Sequence, residues 1–112
     1  MNIVATTYPT DSIVGNPAYI ADECPDRSAV VDSLRGNNAS HQSDVSMDLL
    51  DMDDPLHGPR ERVLAKFTGL RELPSPSTWC EVWAEVRFPD GVQQLHGFID
   101  FAAAKVRLWL QP

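Results

Sequence analysis

One stretch of the chain, Trp79 to Phe101, constrains the fold most strongly because apolar and polar residues alternate along it on both sides of a turn sequence. Successive side chains of a β-strand point to opposite faces, so a period of two indicates a strand with one apolar face. The central residues Pro89, Asp90 and Gly91 are types that tight turns favour. The stretch therefore predicts a β-hairpin.

The same alternation predicts how the two strands of the hairpin pair. Placing Phe88 opposite Gln93 keeps the apolar residues of both strands on one face, whereas a shift by one residue mixes the two faces. In this register Glu85 faces His96 across the strands. We therefore predict a hairpin with an apolar inner face and an outer face that carries polar and aromatic residues.

Two further segments flank this hairpin. The alternation over Arg60 to Leu70 predicts a strand, with a helix beginning at Pro59 as the alternative. The alternation over Lys105 to Leu110 predicts another strand, with a continuous helix from Phe98 as the alternative. With the hairpin, these segments predict a three- to four-stranded antiparallel β-meander over residues 59–112.

Charge divides the chain into two unlike halves. Residues 1–58 contain ten acidic and two basic residues, whereas residues 59–112 contain six acidic and seven basic residues, and the formal net charge is −7. All three Trp and all four Phe lie in residues 59–112. The first half is therefore acidic and poor in aromatic residues, and the second is near-neutral and rich in them.

Two helices are predicted in the acidic half. The segment Pro25 to Arg35 has proline in its first turn and is followed by Gly36, a residue that commonly ends helices. The segment Ser43 to Met52 has serine as its N-cap and ends before Pro55. On the second helix, an apolar stripe and an acidic stripe lie side by side, formed by Val45, Leu49 and Met52 and by Asp44, Asp48 and Asp51.

These elements predict an α+β fold. Its C-terminal three- to four-stranded antiparallel β-meander is covered on one face by one or two short helices from the acidic N-terminal half. Residues 1–58 are predicted to be an acidic, helix-containing and partly flexible segment, and residues 59–112 to be the meander, with both parts in one composite domain.

The predicted outer face of the meander is unusually aromatic. Trp79, Trp83 and Phe98 share it, with Trp109 as a further candidate, and together they would expose a larger apolar patch than a soluble monomer normally shows. The helices between residues 25 and 52, a second copy of the chain or a partner protein would have to cover these rings, and the helices are the preferred cover.

The sequence gives little support for catalysis. Its three histidines, His41, His57 and His96, are scattered and have no cysteine or carboxylate at metal-ligand spacing. The chain contains no glycine-rich phosphate loop and no nucleophile motif. We therefore predict a protein that is not an enzyme and that needs no cofactor and no metal. Glu85 and His96, which face each other in this register, are the one polar pair around which a small active site could form. A surface ion pair is the favoured interpretation of this pair.

Other features restrict the partners and the compartment. The strongly negative charge argues against direct nucleic-acid binding, and the sequence has no long apolar run for a membrane span. The first residues do not resemble a secretory signal, so Cys24 and Cys80 are expected to be reduced thiols in a cytoplasmic protein.

The functional prediction is a small acidic, non-catalytic protein-binding module of the inhibitor, immunity or regulatory type that engages a basic protein partner. A homo-oligomeric assembly or structural subunit, such as a homodimer joined through the aromatic sheet face, is the alternative, and a small enzyme around His96 and Glu85 ranks below both. The predicted partner-binding residues are Asp44, Asp48, Asp51, Asp53, Asp54, Leu49, Met52, Trp79, Trp83 and Phe98.

Overall fold

A computed structural model describes residues 17–21, 23–36, 44–52 and 60–111 of the chain. The elements, in chain order, are β1 (Tyr19–Ala21), α1 (Arg27–Arg35), β2 (Val45–Asp51), β3 (Arg60–Glu72), β4 (Cys80–Phe88), β5 (Gly91–Asp100) and β6 (Lys105–Leu110). Each strand is antiparallel to the next, and β6 pairs with β1, so the six strands form a closed barrel.

The predicted α+β fold, a three- to four-stranded meander covered by helices, is wrong. Two strands from the acidic half, β1 and β2, complete the sheet, and the described residues contain one short helix. The three residues of β1 close the barrel, with Ile20 opposite Leu50 on one side and Ala21 opposite Val106 on the other. Closure pairs the strand edges that an open meander would leave free, which favours the barrel.

The predicted helix over Ser43 to Met52 is also wrong, because Val45 to Asp51 is strand β2. The apolar positions Val45 and Leu49 are four residues apart, a spacing that suits one face of a helix and one face of a strand equally well. The backbone of β2 pairs with β3 from Val45 to Leu50. This pairing selects the strand conformation, in which Met47 is also buried, on the same face as Val45 and Leu49.

Four other sequence predictions are confirmed. The helix predicted over Pro25 to Arg35 is α1, and the hairpin is formed by β4 and β5. The strand predicted to begin at Arg60 is β3, which continues to Glu72. Lys105 to Leu110 is strand β6 and not part of a helix.

The hairpin has the predicted faces but not the predicted pairs. Phe88 pairs with Gly91 and not with the predicted Gln93, so the turn consists of Pro89 and Asp90. A displacement of two residues keeps every side chain on its face, because the side-chain period of a strand is two. Gly91 has φ +151°, a backbone conformation that residues other than glycine rarely adopt.

The interior of the barrel is a packed core of large side chains. Those that are almost completely buried include Leu49, Val63, Phe67, Val82, Val86, Leu95, Ile99, Val106 and Leu108. A barrel of this size has room inside for side chains, so surfaces that meet other molecules lie on its outer face and at its ends. The backbones of β5 and β6 approach closely at Gly97, where a Cβ atom would lie 2.0 Å from the carbonyl oxygen of Arg107.

Helix α1 packs at the end of the barrel where β2 begins and β3 ends. Val30 is fully buried among the core residues. The hydroxyl of Ser33 accepts a hydrogen bond of 2.9 Å from the backbone N–H of Phe67, next to an irregularity in the β3–β4 register between Phe67 and Gly69. The helix therefore completes the core and supplies a partner to a buried backbone group.

No helix in the described part of the chain has the length and the apolar character that a membrane span requires.

Candidate functional site

Three aromatic side chains lie in one row across the outer face of β4, β5 and β6. The register places Trp83 opposite His96 and His96 opposite Trp109. Each of the three is half-buried and points away from the core. Adjacent strands are about 4.8 Å apart, so the row extends over about 10 Å. We call Trp83, His96 and Trp109 the aromatic row.

Trp83 is held from below by the backbone of β3. A Cβ atom added at Gly69 would lie 2.8 Å from Cε3 of the indole, closer than two carbon atoms can approach. The indole therefore occupies the space that a side chain at position 69 would need. Its ring centroid is 5.3 Å from that of His96, with 33° between the planes. The absence of a side chain at Gly69 therefore allows the indole to occupy this position.

His96 is held by a buried carboxylate. Its Nε2 atom lies 2.7 Å from Oε2 of Glu81, and the other oxygen of Glu81 accepts a hydrogen bond from Arg71. Glu81 is only 5% exposed. A buried carboxylate is stable only with such partners, so this network fixes the imidazole in one orientation.

Trp109 rests on a small second core outside the barrel. Its ring meets that of Phe98 nearly at a right angle, with centroids 5.9 Å apart. Phe98, Trp79 and Leu73 are buried together, because the connection from β3 to β4 folds back over the outer face of the sheet. The prediction that helices cover the aromatic face is therefore wrong: the chain's own connection covers Phe98 and leaves the aromatic row half-exposed.

Asp100 fixes that connection. Its Oδ2 atom accepts a hydrogen bond of 2.7 Å from the hydroxyl of Thr78 in the connection, and its Oδ1 atom accepts the backbone N–H groups of Ala102 and Ala103 at 3.1 Å. Asp100 is 7% exposed, so these bonds satisfy a buried charged group. One carboxylate thus joins the connection to the turn between β5 and β6.

The acidic stripe predicted for a helix does not exist as a free surface. The carboxylate of Asp44 is almost fully buried and forms an ion pair with Arg87. Oδ1 of Asp48 lies 2.8 Å from Nε of Arg62. Two of the predicted contact residues are therefore already occupied by bases from the C-terminal half.

The remaining predicted contacts of the acidic half are dispersed. Leu49 is inside the barrel, and Met52, just after β2, is 37% exposed. Asp51 is the last residue of β2. Asp53 and Asp54 lie outside the described residues. Among the described residues, Leu49, Asp51 and Met52 therefore do not form one contact surface.

Two acidic residues outside the predicted contact set are exposed, one on α1 and one just before it. Asp26 and Asp32 line a shallow depression between the helix and the start of β2, with Ala29 and Val45 as its apolar part. These two described carboxylates therefore add exposed negative charge at this end of the barrel.

The polar pair predicted for an active site is not formed. Glu85 pairs with Gln94 and accepts a hydrogen bond of 3.1 Å from its side-chain amide, while His96 contacts Glu81. Within residues 17–21, 23–36, 44–52 and 60–111, no three potential metal ligands of the His, Cys, Asp or Glu type come together.

Neither cysteine is prepared to act as a nucleophile. Burial raises the pKa of the Cys80 thiol, and the nearby Arg27 guanidinium opposes this effect only in part. Burial, assisted by the negative charges of Asp100 and Asp26, also raises the pKa of Cys24. Both thiols are free and remain protonated near neutral pH, and a thiol is a far weaker nucleophile than a thiolate.

Sequence reasoning found part of the aromatic row. Trp83 was predicted as a contact and lies in it, whereas Trp79 and Phe98 are buried beneath the surface. His96 and Trp109 were not among the predicted contacts. Pairing the hairpin across a two-residue turn would have placed His96 beside Trp83, so the turn length was the missing signal.

Comparison of the chain with protein-family models, with curated proteins and with solved structures found no match in any of the three.

Proposed function

We propose that this protein is a non-catalytic protein-binding module that engages a partner through the aromatic row. The observation that carries the proposal is the alignment of Trp83, His96 and Trp109 across three paired strands, half-exposed on a closed barrel. Large aromatic side chains on a rigid surface are the residues that most often dominate the binding energy of protein interfaces.

The row is rigid before any partner arrives. Gly69 lies under Trp83, Glu81 holds His96, and Phe98 supports Trp109. Binding then costs little side-chain entropy, since each immobilised side chain would otherwise cost about 0.5–1.5 kcal/mol. Polar residues border the row on the side of Gln94, as they do around typical interface cores.

The formal net charge of −7 supports a partner of basic character. Exposed carboxylates such as Asp26 and Asp32 attract a basic protein over a distance and raise the rate of encounter. Because Asp44 and Asp48 are already paired with arginines, the acidic half contributes through this long-range field more than through a contact stripe. An inhibitor, immunity or regulatory role suits such a module.

A cytoplasmic location is part of the proposal. It is supported by the two free thiols, Cys24 and Cys80, because reduced cysteines persist in the cytoplasm.

A homodimer joined through the aromatic row is the second candidate. The same half-exposed rings favour it, since two copies of a flat aromatic surface can cover each other. A stable interface buries about 800 Å² on each partner, an area larger than three side chains supply, so a dimer would also have to use the polar residues around the row.

The test uses a photo-crosslinking amino acid placed at Gln94, beside the row, and as a control at Ser28, which is exposed on α1. The protein captured in the native host is then purified, and its affinity for the wild type and for Trp109→Gln is measured by calorimetry. We expect capture from Gln94 only and at least about tenfold weaker binding by the variant.

Equal capture from both positions, or unchanged affinity of Trp109→Gln, would contradict the proposal. A crosslink from Gln94 to a second copy of the chain, together with a doubled mass in sedimentation, would establish the homodimer.

A further inference from the structure

Trp83 and Glu85 present a flat ring and a carboxylate side by side. They are two residues apart on β4, so their side chains leave the same face of the strand about 6.6 Å apart. The indole packs against Gly69 on one side, its centroid is 5.3 Å from that of His96, and the ring as a whole is half-exposed. The carboxylate of Glu85 is also half-exposed and receives the side-chain amide of Gln94 at 3.1 Å.

The molecule already binds one of its own arginines with this combination of groups. The guanidinium carbon of Arg27 lies 5.7 Å from the ring centroid of Phe101, and Nη2 of the same residue is 3.2 Å from Oε2 of Glu72. An aromatic face and a carboxylate thus hold one guanidinium together. Arg107 likewise lies over the ring of Trp79, at 5.6 Å.

We propose that the partner presents an arginine side chain to the seat formed by Trp83 and Glu85, an inference that rests on the proposed function. A guanidinium is planar and weakly hydrated, so it stacks on an indole while its N–H groups donate to a carboxylate. The net charge of −7 complements a cationic side chain. The ammonium group of lysine is a compact point charge and matches this arrangement less well.

Two bases of the protein lie near the seat. Lys66 faces Glu85 across β3 and β4, and Arg87 is the next outward residue of β4. Arg87 is held by Asp44. In the part of the chain that the structure describes, no ion pair within 4.0 Å joins Lys66 to Glu85. The positive charge of Lys66 therefore weakens the attraction of the Glu85 carboxylate for an incoming cation, although Lys66 forms no ion pair with it. Removing the charge of Lys66 should consequently strengthen the binding of a cation.

The experiment titrates the nitrogen-15-labelled full chain with acetyl-Gly-Arg-Gly-amide, and separately with two matched peptides in which neutral citrulline or lysine replaces arginine. Citrulline has almost the shape of arginine but no charge. We expect saturable shifts of the Trp83 indole N–H and of the Glu85 and Gln94 amides with the arginine peptide, at about millimolar affinity, and none with the citrulline peptide.

Three variants locate the effect. Glu85→Gln retains an acceptor for Gln94 and is expected to bind the arginine peptide at least about fivefold more weakly, whereas Lys66→Gln is expected to bind it about two- to threefold more tightly. Asp90→Asn removes the same charge as Glu85→Gln at the exposed turn between β4 and β5, and it should leave the affinity unchanged. The spectrum of each free variant shows whether its fold is intact.

Equal shifts with the citrulline peptide, equal binding of the corresponding lysine peptide, or shifts centred on Asp26 and Asp32 would each overturn the arginine seat. These outcomes leave the aromatic row itself untouched, because Trp109 is not part of the seat. Unchanged partner affinity of Trp109→Gln would instead overturn the proposed function, so the two failures are distinguishable.

Discussion

The indole of Trp83 lies on the backbone of Gly69. The two residues pair across β3 and β4 next to the irregularity in their register, and a Cβ atom at position 69 would meet the ring at 2.8 Å. The Trp83 end of the aromatic row therefore depends on the absence of a side chain on the neighbouring strand.

Gly69→Ala is expected to lift the indole from the sheet. The added methyl group overlaps the ring, so the free energy of unfolding should fall by about 1–2 kcal/mol, and the indole N–H resonance of Trp83 should shift. Urea denaturation and nitrogen-15 NMR measure the two effects. Gly91→Ala is the control: its Cβ would meet no atom within 4 Å, so it should strain the turn without moving the Trp83 signal. An unshifted Trp83 signal in Gly69→Ala would refute this packing.

Gly97→Ala is expected to be far more damaging. Its Cβ atom would lie 2.0 Å from the carbonyl oxygen of Arg107 and 2.9 Å from Cα of Leu108, so β5 and β6 would have to separate. A loss of more than about 3 kcal/mol is a large part of the stability of a domain of this size, so the melting temperature should fall by about 10 °C or more. Circular dichroism during heating tests this, and a wild-type melting temperature would show that the strands are not so close.

Ser33→Ala should destabilise the barrel through one hydrogen bond. The variant removes the acceptor of the buried Phe67 N–H, at a cost of about 1–3 kcal/mol in unfolding free energy. Ser28→Ala, on the exposed side of the same helix, should change stability by no more than about 0.5 kcal/mol. Equal urea midpoints for the two variants would mean that Ser33 does not support the backbone of β3.

Stability should fall in alkaline solution. Burial raises the pKa of Cys80, Cys24 and Tyr19 in the folded protein, so these groups ionise more readily in the unfolded chain. Below the ordinary pKa values, these three groups contribute fully to the free energy of unfolding. This contribution is lost as the pH rises above about 9. Urea midpoints at about pH 8 and about pH 10.5 measure the loss, and Cys80→Ala should make it smaller. A loss of unchanged size would show that Cys80 does not contribute.

The sequence predicts the hairpin because an alternation sustained on both sides of a turn admits few other structures. It does not predict the pairing of that hairpin, because a shift of two residues leaves each face unchanged and only the length of the turn distinguishes the registers. Glu85 was therefore assigned to His96, although Glu81 is the residue that holds it. This single displacement accounts for the incorrect polar pair.

The closed barrel could not be predicted, for a different physical reason. Strand β1 has only three residues, too few to show a period, and its pairing with β2 and β6 is entirely long-range. The segment Val45 to Asp51 fits helix and strand templates alike, and contact with β3 decides between them. Asp48 of β2 and Asp44 just before this strand then pair with arginines of the C-terminal half, an outcome that their local spacing does not indicate.

The most direct test of the aromatic row is a fluorine-19 spectrum of the protein labelled with 5-fluorotryptophan. The chain contains three tryptophans, so each has its own signal, and Trp79, which is 4% exposed, is an internal control. When the purified partner captured at Gln94 is added, we expect the signals of Trp83 and Trp109 to shift and broaden while that of Trp79 does not. Saturating complex formation without a change at Trp83 and Trp109 would contradict the claim that the aromatic row is the binding surface.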